Sequence, residues 1–81
     1  MKIPVHFYSY FKDITGCTDT VIELPEGGDI AQLLAAACLR FPKLHSMGNS
    51  TLIAVGVNYQ PKSYVLKEGD RVSLFPPVQG G

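Results

Sequence analysis

The stretch from Leu24 to Pro42 reads LPEGGDIAQLLAAACLRFP and holds the clearest helix in the chain. Asp29 can accept backbone N–H bonds as an N-cap, and Gln32, three residues on, can reach back to complete a capping box. Ile30, Leu33, Leu34, Ala37, Cys38 and Phe41 follow the i, i+3, i+4, i+7 spacing that lines one apolar face. Pro42 ends the helix because the residue before a proline is pushed out of the helical region. Upstream, Pro25-Glu26-Gly27-Gly28 breaks whatever precedes it. A single one-sided helix of this length must find a sheet to cover.

The flanking segments supply one. Over Lys2 to Tyr10, Ile3, Val5 and Phe7 alternate with Lys2, Pro4, His6 and Tyr8, the period of two of a strand with one buried face. Pro4 cannot donate to a ladder and is expected at the strand's start or where its missing N–H faces outward. Phe11 to Gly16 reads as one helical turn ended by glycine. Thr18 to Leu24 alternates again, with Thr20, Ile22 and Leu24 on one side, so the first two strands should pair antiparallel. After the helix, Leu44 to Ser50 reads as loop, Leu52 to Val57 as a largely covered strand, and Asn58 to Tyr64 as turn and loop. Lys67-Glu68-Gly69-Asp70 is a tight turn, and Arg71 to Phe75 is the last strand, with Val72 and Leu74 facing one way.

Strand, strand, helix, strand, strand resembles the ubiquitin-like β-grasp fold, an α+β class whose mixed sheet is covered on one face by one main helix. In it the first and last strands lie parallel in the middle of the sheet, and the helix provides their right-handed crossover. The expected division is a β-grasp domain over residues 1–75 and an extended tail over 76–81.

Composition narrows the function classes. With 81 residues the chain makes one domain, at a size where folding buries roughly 60% of the unfolded chain's surface. Lysine plus arginine and aspartate plus glutamate each number 7, so the formal charge is zero and gives no electrostatic footprint for nucleic acid or an anionic membrane. Two cysteines, Cys17 and Cys38, are too few for a disulfide framework and lack metal-ligand spacing. Cys38 falls on the apolar helical stripe, the place of a structural thiol. No apolar run approaches the roughly 20 residues of a membrane span. The start of the chain enters a strand pattern directly, so a cytoplasmic location is expected.

Catalytic arrangements are sparse. His6 and His45 stand far apart, and neither forms a nucleophile–base pattern with Cys17 or a carboxylate. PEGGDIAQLL places glycines before a helix as phosphate cradles do, yet it lacks a lysine and sets the anionic Asp29 where the phosphate would go. The body reads as a scaffold, and the chemistry moves to the end of the chain. FPPVQGG, Phe75 to Gly81, has two prolines that favour an extended exit and two glycines that leave a terminal carboxylate sterically free.

Three stretches, FYSYFKDITG (7–16), IELPEGGDIAQLLAAACLRFPKL (22–44) and LKEGDRVSLFPPVQGG (66–81), are similar to the small subunit of molybdopterin synthase, a family of ubiquitin-like sulfur carriers, along essentially the whole chain. Gln79 stands where serine or threonine is frequent in that family. The resemblance implies that Gly81 bears the C-terminal thiocarboxylate, and that Pro76, Pro77, Val78, Gln79 and Gly80 are recognised as the tail. It implies an ATP- and Mg-using E1-like adenylating partner, because this chain holds no nucleotide motif and binds no cofactor itself. A sulfur donor such as a cysteine desulfurase or rhodanese, and the large synthase subunit, complete the expected partners. Sulfur would pass to cyclic pyranopterin monophosphate in molybdenum cofactor biosynthesis, with no activity from this subunit alone. A carrier for thiamine or cysteine biosynthesis, and a ubiquitin-like protein modifier, remain open on the same Gly-Gly end.

Parallel first and last strands would set His6, Tyr8 and Tyr10 beside Arg71, Ser73 and Phe75 on the face away from the helix. Tyr8, Arg71 and Phe75 are the expected partner-docking residues, since aromatic groups on an uncovered face make an apolar patch with a polar rim.

Overall fold

The computed structural model describes residues 1–47 and 51–76. The elements run β1 (Lys2–Phe7), α1 (Tyr10–Thr15), β2 (Asp19–Glu23), α2 (Ile30–Arg40), a 3₁₀ segment (Pro42–Met47), β3 (Leu52–Val55), β4 (Asn58–Tyr59) and β5 (Val72–Phe75). Sheet order is β2-β1-β5-β3-β4. β1 pairs antiparallel with β2 and parallel with β5, and β3 pairs antiparallel with both β4 and β5. With α2 as the crossover between β1 and β5, this is the expected β-grasp arrangement.

The helix begins as the capping residues require. Gln32 N–H donates to Asp29 Oδ1 at 2.9 Å, and Asp29 N–H donates to Gln32 Oε1 at 3.0 Å. The two donors between them are taken by the loop before β5: Ile30 N–H donates to the Tyr64 carbonyl and Ala31 N–H to the Lys62 carbonyl, both at 3.0 Å. All four N-terminal donors of α2 are therefore spent inside the fold, which leaves no anion site there.

Ile30, Leu33 and Ala37 bury the helix face against Ile3, Val5 and Phe7 of β1, Ile22 of β2, Ile53 and Val55 of β3, and Val72 and Leu74 of β5. Each fully buried side chain of this size contributes about 1.5–3 kcal/mol by leaving water, so the register of these four strands is held by which face is apolar. Leu34, Cys38 and Phe41 flank the contact and are half-buried.

Pro4 lies inside a central strand, yet its missing donor leaves no rung unmade. Phe7 N–H donates to Thr18 O, and Tyr8 N–H to Leu74 O, so even-numbered residues of β1 turn their backbone toward β5. The β1–β5 register begins at Val5↔Val72, one residue past Pro4.

Four sequence expectations change. Leu44 to Ser50 is not simply loop: Pro42–Met47 winds into a 3₁₀ turn that drives Leu44 into the core at 1% exposure. The strand expected to Val57 stops at Val55, because Gly56 takes φ 62° and starts a two-residue hairpin turn with Val57, 95% exposed, at its tip. Glycine at the first central position suits such a turn. Asn58 to Tyr64 accordingly contains β4, whose residues pair with Val55 and Ala54. The first strand ends at Phe7 and Tyr10 opens α1, a helix ended by Gly16 at φ 75°.

Candidate functional site

The sheet face away from α2 carries one residue from each strand in register: Asp19, His6, Ser73, Ala54 and Tyr59. At the end where β5 leaves the sheet, this face becomes aromatic. Tyr8 and Phe75 stack with ring centroids 4.4 Å apart and planes 13° apart. The His6 ring lies 4.3 Å from Tyr8, and Tyr59 meets Phe75 edge-on at 6.3 Å. The row His6–Tyr8–Phe75–Tyr59 thus crosses four strands with no helix above it. Pro76 follows Phe75 directly and is half-buried.

Of the expected docking residues, Tyr8 and Phe75 come together, and Arg71 lies on the same face at the other end of β5, exposed. Tyr10 does not join them. Its place at the start of α1 turns it toward Phe11, where the rings meet edge-on at 5.0 Å. Tyr59 was missed because a two-residue strand is too short for alternation to show; the only available sign was Gly-Val between an apolar run and an aromatic residue. Gly81 and the tail residues Pro77, Val78, Gln79 and Gly80 lie outside the described residues.

The chemistry of the body is that of a scaffold. His6 Nδ1 sits 2.6 Å from Asp19 Oδ1. Although register puts Ser73 beside His6, the imidazole leans on Tyr8, and among the described residues no hydrogen bond links it to the Ser73 hydroxyl. The pair orients the ring and activates no nucleophile. Cys17 and Cys38 are both free and half-buried, and burial pushes the Cys38 thiol above its ordinary range, which lowers its thiolate fraction. Among the described residues no cluster of His, Cys, Asp or Glu could hold a metal, and no helix is long and apolar enough to cross a membrane.

Residues 5–81 match the model of the ThiS family. The chain is 31% identical to the molybdopterin synthase sulfur carrier subunit of Chlamydomonas reinhardtii, in an alignment covering the whole of both. Its fold superposes on a putative molybdopterin converting factor, subunit 1, from Pyrococcus furiosus with a TM-score of 0.87 at 30% identity, covering 96% of this chain and 99% of that one. It also superposes, with a TM-score of 0.71 at 27% identity over all of both chains, on a chain in the complex of subunits 1 and 2 of the molybdopterin-converting factor from Helicobacter pylori.

Proposed function

The chain belongs to the ThiS family, and from that premise we propose that it is the sulfur-carrying small subunit of a molybdopterin synthase. The observation that supports this most is the end-to-end match to a protein named as that subunit, in a chain whose own body offers a scaffold and no catalytic arrangement among its described residues.

In this reading Gly81 carries the chemistry. A glycine α-carboxylate is ionised at neutral pH and resists nucleophiles. An E1-like partner uses Mg-ATP to convert it to an acyl-adenylate, releasing pyrophosphate. The outer sulfur of a persulfide on a donor such as a cysteine desulfurase or rhodanese attacks the carbonyl and AMP departs, leaving an acyl disulfide. A second thiol then cleaves its S–S bond, forming a disulfide with the donor cysteine and releasing the thiocarboxylate. Within the large subunit that sulfur passes to cyclic pyranopterin monophosphate, and water restores the carboxylate. The contribution of Gly80 and Gly81 is steric, since without Cβ atoms they suit a narrow channel, and a proline's fixed φ at 76 and 77 favours an extended exit. Tyr8, Phe75 and Arg71 hold the body against the large subunit so that the tail enters it.

Intact-mass analysis after incubation with the E1-like enzyme, Mg-ATP and a sulfur source should show one oxygen replaced by sulfur, and only with ATP. Deleting Gly81, or adding one residue after it, should abolish the change, whereas Cys17→Ser should keep it. Sulfur incorporation by the isolated chain, or its loss in Cys17→Ser with retention in the deletion, overturns the assignment. Recovery of Gly81 joined to a target lysine would make the chain a protein modifier instead.

A further inference from the structure

Beside the aromatic row, the open face holds a second feature of different chemistry. The β1–β5 register begins at Val5↔Val72, with Pro4 and Arg71 just outside it. A groove of about 200 Å³ lies over this end of the β1–β5 pair, its lining including Pro4, His6, Tyr8, Asp19, Arg71 and Ser73. Its charges are unequally spent. The Asp19 carboxylate is already engaged by His6 Nδ1 at 2.6 Å. Arg71 is exposed and makes no ion pair among the described residues. With the Ser73 hydroxyl and the Tyr8 phenol also in the lining, the groove holds hydrogen-bond donors around a guanidinium whose planar fork suits a carboxylate.

We infer that this groove receives a carboxylate side chain of the protein that holds the tail, and that Arg71 is the residue that selects for it. The inference rests on the docking reading above and adds the chemistry of the partner. Two features favour a protein over a free anion. The groove is open and none of its charged side chains is buried, so it would hold a small ion weakly, whereas a partner brings its carboxylate already positioned. It is also continuous with the aromatic row through Tyr8, which belongs to both. Arg71 and Phe75 sit four residues apart on one face of an extended segment, about 13 Å, which is well within one interface. A partner seated on Phe75 therefore covers Arg71, and a guanidinium covered without a counter-charge would cost binding.

The test is titration of the full chain with the large subunit of its synthase, at low and at physiological salt. Arg71→Glu should weaken binding about tenfold or more, chiefly by slowing association, and Arg71→Met, which keeps the stem, should weaken it less and flatten the salt dependence. One Asp→Arg or Glu→Arg substitution on the large subunit should restore affinity to Arg71→Glu. Arg71→Glu binding within twofold of the parent, while Phe75→Ala binds weakly, would sink the groove and leave the docking face standing. If neither substitution changes affinity, the docking reading falls as well. Circular dichroism confirms folding of each variant. Titration of the isolated chain with acetate and with inorganic phosphate closes the alternative: saturable shifts at Arg71 and Ser73 in the millimolar range would mark a small-anion site and overturn the assignment to a protein carboxylate.

Discussion

Tyr8 and Phe75 stack ring on ring across the parallel β1–β5 pair, with centroids 4.4 Å apart and planes 13° apart, one residue before the chain leaves the sheet at Pro76. The contact joins the first strand to the last just before Pro76. Tyr8 N–H donates to Leu74 O at 3.1 Å on the same rung, so the backbone sets the two rings at this spacing before any side-chain preference acts. Stacked pairs of this kind contribute about 0.5–1.5 kcal/mol beyond their area. Yet Tyr8 remains 40% exposed, so the stack is only half used by the fold. The unused half is available to a partner.

Phe75→Ala should therefore weaken binding of the large subunit by about 1–3 kcal/mol and leave the domain folded, since Phe75 contributes nothing to the core under α2. Titration calorimetry with circular dichroism as a control separates the two effects. Unchanged affinity in a folded variant would place docking elsewhere.

Ser9 is the single described residue other than glycine with positive φ, at φ 55° and ψ −138°. It occupies the first central position of the turn in which Phe11 N–H donates to Tyr8 O at 3.2 Å, a place that suits glycine, and its side chain makes no capping bond in compensation. Such a conformation costs about 1–3 kcal/mol, and glycine's freer unfolded chain gives back about 0.4–1 kcal/mol. Ser9→Gly should raise stability by roughly 1 kcal/mol in urea unfolding. A lower midpoint would show that the serine side chain supports the fold in a way its contacts do not reveal.

The sequence showed α2 to the residue because its signals are local: a capping box at one end, a proline at the other, and an apolar stripe between them. The β1–β5 pairing, a contact between opposite ends of the chain, was legible only through strand order and the handedness of crossovers. What escaped was decided by tertiary context. Leu44 looked like a loop residue because the six residues Pro42–Met47 are too few to show a period, and only the space left beneath the end of α2 draws it inward. Tyr10 continued the alternation of β1 on paper, but the strained turn at Ser9 rotates it out of the strand. Tyr59 reached the open aromatic face through a strand of two residues, shorter than any periodicity can register.

Burial pushes the Cys38 thiol above its ordinary range, so the folded chain holds that proton more tightly than the unfolded chain does. The sign follows by linkage: the stabilisation is fully present below the unfolded thiol's pKa and is lost as pH rises through the folded one. Alkylation of Cys38 at neutral pH should be slower than that of a free thiol, and stability should decline on the alkaline side. Cys38→Ala should reduce that decline. Rapid alkylation of Cys38 in the native protein, read by peptide mass mapping, would contradict the burial argument.

The free edge of the sheet at β2 is guarded by a contact from α2. Thr18 and Leu24 bond to β1, so alternation turns the N–H and C=O of Val21 outward, where they could template another strand. Arg40 Nη1 donates to Val21 O at 2.8 Å, and its guanidinium lies 5.5 Å from the centre of the Phe41 ring, which helps fix it there. A second guard lies in the strand itself: antiparallel self-pairing centred on Val21 would set Asp19 opposite Glu23 of the other copy, and like charges directly opposite are destabilising. Removing one guard should have a small effect, and removing both a large one. We predict that Arg40→Ala stays monomeric at micromolar concentration with faster amide exchange along β2, while Arg40→Ala combined with Glu23→Lys self-associates, because each Asp19 then faces a cation. Sedimentation velocity over a concentration series reads the outcome, and a double variant that remains monomeric at millimolar concentration would show that something other than these two residues protects the edge.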